Sequence, residues 1–276
     1  MCDYSDYQLF YGAHRDFMNL QPARQIRSIA FYTLLEAVRN RMVWLIVAVA
    51  LIAVGLSGFV DSLAVTESRQ MQAALVAAVA RLAAVFIMVT FVVTSMARES
   101  NDKALELLLA LSLPRAAYLF GKLLGYGAIA LLPALLFGLL MALYAAPLQA
   151  AIWTVSLVCE LWIVAGFGLL CILTFKNVMA ALSAAIAFYL GARSVGAFLL
   201  LAQGQASEPG ASRRVIGAVF ETLAAVLPRL DEFTRTEWLV HNSGTLASLP
   251  TIVLQTVLCM ALVAGVALFD LYRKNI

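Results

Sequence analysis

The chain has 276 residues, 63% of them hydrophobic and only 13% charged, where a globular domain carries about a quarter charged residues. A net charge of +3 with no basic stripe outside the loops gives no support to nucleic-acid binding. The four cysteines, Cys2, Cys159, Cys171 and Cys259, lack CxxC spacing and read as small apolar side chains rather than a disulfide or metal framework.

Taken in chain order, residues 1–41 form an arm too long for a signal-peptide leader, with Arg15, Arg24, Arg27, Arg39 and Arg41. Within it, "ARQIRSIAFYTLLEAVRNR" places Ile26, Ile29, Ala30, Leu34 and Val38 near one helical face, which predicts a helix lying in the membrane interface. Residues 42–276 then read as one six-span membrane domain, with spans near 42–60, 73–97, 123–146, 151–175, 178–203 and 250–270. The short "APLQA" and "FKN" connections make spans three and four, and four and five, tight helical hairpins.

Segment 98–122 interrupts this apolar pattern. Residues 101–113 reach about 20 Å as a helix, too short to cross about 30 Å of hydrocarbon. A period of 100° per residue gathers Glu99, Asp102, Lys103 and Glu106 into one polar stripe, flanked by Leu105, Leu107, Leu108, Leu109 and Leu111. Pro114 stops or bends the helix. A charged helix at the mouth of two spans would turn a push from a soluble motor into a tilt of those spans; the plainer alternative is a surface anchor for a loop. The "GKLLG" at Gly121–Gly125 is a GxxxG that permits close helix approach at the start of the third span.

Arg81, Glu160 and Arg193 sit inside apolar runs, where a central charge costs about 2.5–3.5 kcal/mol. Both arginines are placed to snorkel outward, whereas Glu160, near the middle of the fourth span, must be protonated or paired. The three either line a translocation path or form an intramembrane ion pair. Loop 204–249 is expected outside, with an amphipathic helix over 215–227 followed by Trp238 and His241 at the interface. Arg15, Arg24, Arg27, Arg39, Arg41, Arg98, Lys103, Arg115, Lys122, Lys176, Arg273 and Lys274 outnumber Arg69, Arg213, Arg214, Arg229 and Arg235 on the opposite side, which predicts both termini cytoplasmic.

"RE" at Arg98 and Glu99, "LELLLAL" at Leu105–Leu111, and Arg115 followed by "GK" at Gly121 and Lys122 resemble the signature of type-2 ABC exporter permeases. Within that family the chain is most similar to the multi-copper enzyme maturation permeases of the nitrous-oxide reductase assembly type. It departs in having Lys103 and Ala104 where Gly-Thr is usual, and Ser112 at the usual proline place. The resemblance implies six spans with an N-terminal interfacial helix, a cytoplasmic coupling helix between spans two and three, and an outer amphipathic helix between spans five and six. It also implies a homodimer gripping two cytoplasmic ABC ATPase subunits in a bacterial-type inner membrane, and it leaves room for an extracytoplasmic accessory protein. Arg98, Glu99, Asp102, Lys103, Glu106, Arg115 and Lys122 then become the ATPase-coupling residues.

The residues agree that any motor is a separate chain. A phosphate-binding loop needs GxxxxGK followed by Ser or Thr, but Ala116 stands at the first glycine position and Leu123 follows Lys122. No cofactor or metal is expected on this chain, ATP and magnesium belonging to the partner. Two other readings stay open: a scaffold that holds an ATPase or assembly factor without transport, and an intramembrane enzyme, for which neither HExxH nor a supported Ser/His pairing occurs.

Overall fold

The computed structural model describes residues 24–39, 42–63, 68–101, 114–175, 177–205 and 228–273, and no strand occurs among them. Among these residues eight α-helices follow one another: α1 (Arg24–Arg39), α2 (Met42–Leu63), α3 (Ser68–Asn101), α4 (Arg115–Met141), α5 (Pro147–Phe175), α6 (Val178–Gln205), α7 (Thr236–His241) and α8 (Ser248–Arg273). The helical form follows from the composition: in hydrocarbon no water satisfies a backbone N–H or C=O, so each must be bonded within its own segment.

Five of these helices, α3 to α6 and α8, are long and apolar enough to cross a membrane, and there are six such spans if α1 and α2, bent by 54° to each other, count as one. Around 72% of the most apolar window of α5 is buried, against 33% for α8, which makes α5 the centre of the bundle and α8 an outer helix. Accordingly α5 packs against α3, α4, α6, α7 and α8. The outward faces of α2 and α8 present Leu51, Ile52, Leu258, Leu262 and Phe269, which suits contact with lipid.

Several span bounds differ from the sequence expectation, α3 starting at Ser68, α4 ending at Met141 and α5 starting at Pro147, and two of the differences lie around the charged segment. Instead of ending near 97, α3 runs on through Asn101, and α4 begins at Arg115 rather than 123, where Pro114 supplies the extended residue ahead of the first turn. Residues 98–101 and 115–122 are therefore continuations of spans, which narrows the separate segment to 102–113. That segment, the arm 1–23 and the expected amphipathic helix 215–227 lie outside the described residues.

The seat of α1 explains the glycines of "GKLLG". A Cβ at Gly121 would stand 2.9 Å from Cβ of Ile29, and one at Gly125 would stand 2.9 Å from Cβ of Thr33, so α1 crosses α4 where both lack side chains. Thr33 is buried in this contact and Ala37 is buried one turn on, while Val38 is exposed, so the buried stripe is rotated from the one the apolar spacing suggested. We expect Gly121→Val with Gly125→Val to lift α1 off α4, seen as new protease cleavage within 24–39 in reconstituted protein. Protection equal to the wild type would show that the glycines are not what seats the helix.

Candidate functional site

Among the described residues, two polar clusters interrupt the apolar bundle, one at Arg81 in the first half of α3 and one near its end. The first lies where the chain before α7 turns inward. A 3-10 turn at Leu230–Glu232 precedes Phe233 and Thr234, and Leu230, Phe233 and Thr234 are all buried. This segment reaches Arg81 on α3, Ser156 and Glu160 on α5, and Arg193 on α6.

Thr234 is the hub. Its N–H donates to Oγ of Ser156 at 2.9 Å, its hydroxyl donates to Oε2 of Glu160, and its carbonyl accepts from Nη1 of Arg81 at 3.2 Å. Its φ of 43° lies in the left-handed region, which a β-branched residue seldom adopts, so the surrounding bonds hold a strained backbone in place. Nη1 of Arg193 donates to the carbonyls of Leu230 (2.6 Å) and Phe233 (2.9 Å) and to the Thr234 hydroxyl (3.2 Å), and stands 3.5 Å from Oε1 of Glu160.

Glu160, with 0% of its surface exposed, thus has a hydrogen-bond donor and a cation, the compensation a buried carboxylate requires. Neither arginine needs to reach the interface as expected from the sequence, because the loop carries carbonyl oxygens inward to them. Asp231 packs against the open side of Gly196 on α6, where a Cβ would collide with its carboxylate.

Past this cluster, α7 packs on α3 and α5 with Trp238 buried, so that side chain belongs to the bundle rather than to an interfacial belt; His241 is exposed. Gln149, buried at the start of α5, clamps the chain after α7. Its amide nitrogen donates to the carbonyls of Asn242 (3.3 Å) and Gly244 (3.1 Å), and its oxygen accepts from Gly244 N–H at 3.1 Å. Gly244 is required here, since a Cβ would meet both the Gln149 oxygen and the Trp238 ring.

The second cluster joins the end of α3 to the start of α4. Lys122, only 4% exposed, pairs with Oε1 of Glu99, and the Tyr118 hydroxyl donates to Oε2 of the same carboxylate at 2.7 Å. One turn back on α3, Ser95 Oγ lies 2.9 Å from both carboxylate oxygens of Glu36 on α1. Arg115 donates from Nη1 to the carbonyl of Leu271 at 2.8 Å, with its guanidinium 5.8 Å from the Tyr272 ring, which ties α4 to the end of α8.

Of the residues singled out in the sequence, Glu99 and Lys122 therefore meet each other, Arg115 meets α8, and Arg98 is exposed on the last turn of α3. Asp102, Lys103 and Glu106 lie outside the described residues. Arg81, Glu160 and Arg193 come together around a fourth partner, Thr234, that sequence inspection passed over. No motif marks a threonine whose importance rests on a backbone angle. Glu36 carried a faint signal, one helical turn beyond Thr33 at the edge of the buried stripe.

A model of the family described as ABC-2 family transporter protein matches residues 60–209, more than half of the chain. The chain belongs to that family. No curated protein matches it. The ABC-2 match spans α3 to α6, and so includes Arg81, Glu160, Arg193, Glu99 and Lys122, while α1, α8 and the inward loop at 230–234 lie outside it. As an ABC-2 protein the chain is a multi-pass membrane component of an ABC transporter and pairs with an ATPase subunit rather than acting as an enzyme itself. Among the described residues of this ABC-2 protein, no three His, Cys, Asp or Glu side chains converge as a metal site would require.

Proposed function

We propose that the chain is the permease subunit of an ABC exporter, in which ATP and magnesium bound by separate ATPase subunits drive export of an unidentified substrate through tilting of α3 and α4. The observation that carries this reading is the Glu99–Lys122 pair with the Tyr118 hydroxyl. It fastens together the two helix ends from which 102–113 hangs, so a force applied to that segment is delivered to both spans at once. Asp102, Lys103 and Glu106 form the surface offered to the ATPase in this account, whereas Glu99, Lys122 and Arg115 transmit force by holding helix ends.

The ends of α1, α3 and α8 and the start of α4 bear Arg39, Arg98, Arg115, Lys122 and Arg273, which supports placing that side in the cytoplasm of a bacterial-type cell. The motif resemblance favours a homodimer of the multi-copper enzyme maturation type in the inner membrane. The Arg81–Glu160–Arg193 cluster, sealed by Thr234, is in this reading the outer gate of the path.

Co-expression with the partner ATPase and reconstitution into vesicles tests the coupling. Asp102→Lys with Glu106→Lys is expected to abolish transport while membrane insertion and basal ATP hydrolysis persist. Transport at the wild-type rate in this variant overturns the coupling role. An ATPase that co-purifies with the chain yet ignores every substrate offered would favour a scaffold instead.

A further inference from the structure

At the end of the bundle where α1 crosses α4, an open cleft of about 350 Å³ lies between α1 and the last turn of α3, lined by Tyr32, Leu35, Glu36, Arg39 and Arg98. The four α1 residues recur at helical spacing, next to the stripe of Ile29 and Thr33 that meets the α4 glycines. The packing that seats α1 thereby fixes these side chains toward the cleft. Glu36 directs its carboxylate at Ser95, and among the described residues neither Arg39 nor Arg98 forms an ion pair. Two exposed guanidiniums on neighbouring helices thus remain free to take an anion, and their planar forks suit the oxygens of a phosphate group.

The surroundings decide which phosphate. Tyr32 is 70% exposed, Phe31 and Leu35 are exposed beside it, and a few residues on in the chain Trp44, 74% exposed, opens the outward apolar face of α2 with Leu45. Amphipathic aromatic rings next to arginines at the ends of membrane spans are the pattern of a headgroup layer, and a water-soluble phosphate would gain nothing from them.

We propose that the cleft between α1 and α3 binds the phosphodiester headgroup of an anionic phospholipid, with its acyl chains against the exposed face of α2. The lipid would brace α1 against α3, beside the helix ends joined by Glu99 and Lys122. This inference needs only that the chain spans a membrane, so its failure leaves the coupling reading untouched.

The test uses the full-length chain in detergent, with phosphatidylglycerol or phosphatidylcholine added and retained lipid counted by native mass spectrometry. The wild type is expected to retain phosphatidylglycerol preferentially. Arg39→Gln with Arg98→Gln is expected to cut that preference about thirtyfold, at about 1 kcal/mol for each arginine near a lipid surface. A measurement on the unaltered protein stands beside it: phosphatidylglycerol titrated into phosphatidylcholine nanodiscs is expected to raise the melting temperature by several degrees. Equal retention of the two lipids by the wild type, or no such rise, overturns the proposal. Displacement of the bound lipid by millimolar ATP or glycerol phosphate would overturn it in favour of a soluble phosphate ligand, whereas indifference to both supports the lipid.

Discussion

Arg193→Ala is expected to destabilise the protein more than any other single substitution in the bundle interior, by about 3–5 kcal/mol, the cost of leaving a buried charge without its partner. Glu160 is wholly buried and loses the cation paired with it once the guanidinium is gone, and the carbonyls of Leu230 and Phe233 lose their donor at the same time. The loop 228–234 is then held less firmly, because the strained Thr234 keeps Ser156, Glu160 and Arg81 but loses the guanidinium that joined it to Leu230 and Phe233. A lowered melting temperature together with new protease sensitivity between 228 and 244 is the expected readout. Unchanged protection there would mean that Gln149 and the apolar contacts of Phe233 and Trp238 anchor the loop alone.

Two further substitutions separate packing from transport. Glu160→Gln keeps an acceptor for Thr234 and removes only the charge, so its stability cost is expected to be about 1–2 kcal/mol. If the cluster gates a path for a polar substrate, this variant inserts and folds but exports poorly. Full transport at normal expression would reduce the cluster to a structural ion pair. Combining Glu160→Gln with Arg193→Gln removes both charges and is expected to be milder than Arg193→Ala, since a neutral polar pair leaves no uncompensated ion.

The second large effect is expected near the end of α3. Glu99→Lys places a cation against Lys122, which is almost fully buried. The loss is expected to be about 3 kcal/mol, at the low end for an orphaned buried charge because the Glu99 side chain keeps 23% of its surface exposed. The reciprocal exchange, Glu99→Lys with Lys122→Glu, is expected to recover more than half of it, because it restores opposite charges across the same gap. A double-mutant cycle of chemical denaturation midpoints measures the coupling directly. A coupling energy near zero would show that Tyr118, not Lys122, is the partner that matters to Glu99.

Both expectations turn on residues whose presence was legible and whose partners were not. Arg81, Glu160, Arg193, Glu99 and Lys122 stand out in the sequence because a charge in or near an apolar run must be compensated. That requirement says nothing of who compensates it. Glu160 and Arg193 are 33 residues apart, and the third participant, Thr234, is a further 41 along in a loop expected outside. The snorkelling assigned to both arginines was a reasonable default for isolated helices. It gives way here because a loop folded into the bundle supplies carbonyl oxygens closer than the interface.

The sequence by itself determined that this chain is a helical membrane protein, where most of its spans run, and that two short hairpins join the third, fourth and fifth of its six expected spans. Hydrocarbon forces each segment to satisfy its own backbone, so composition over a window of about 20 residues decides the local structure. Family-specific residues at 98–122 pointed to the same transporter class that the match over 60–209 shows. Only the tertiary structure decided how each helix is rotated about its axis: that Thr33 faces α4 while Val38 is exposed, that Lys122 turns to Glu99, and that Trp238 is buried. Hydropathy reports depth in the membrane, whereas rotation is set by contacts between segments far apart in sequence, such as glycines that admit α1 and a threonine held at a positive φ by four neighbours.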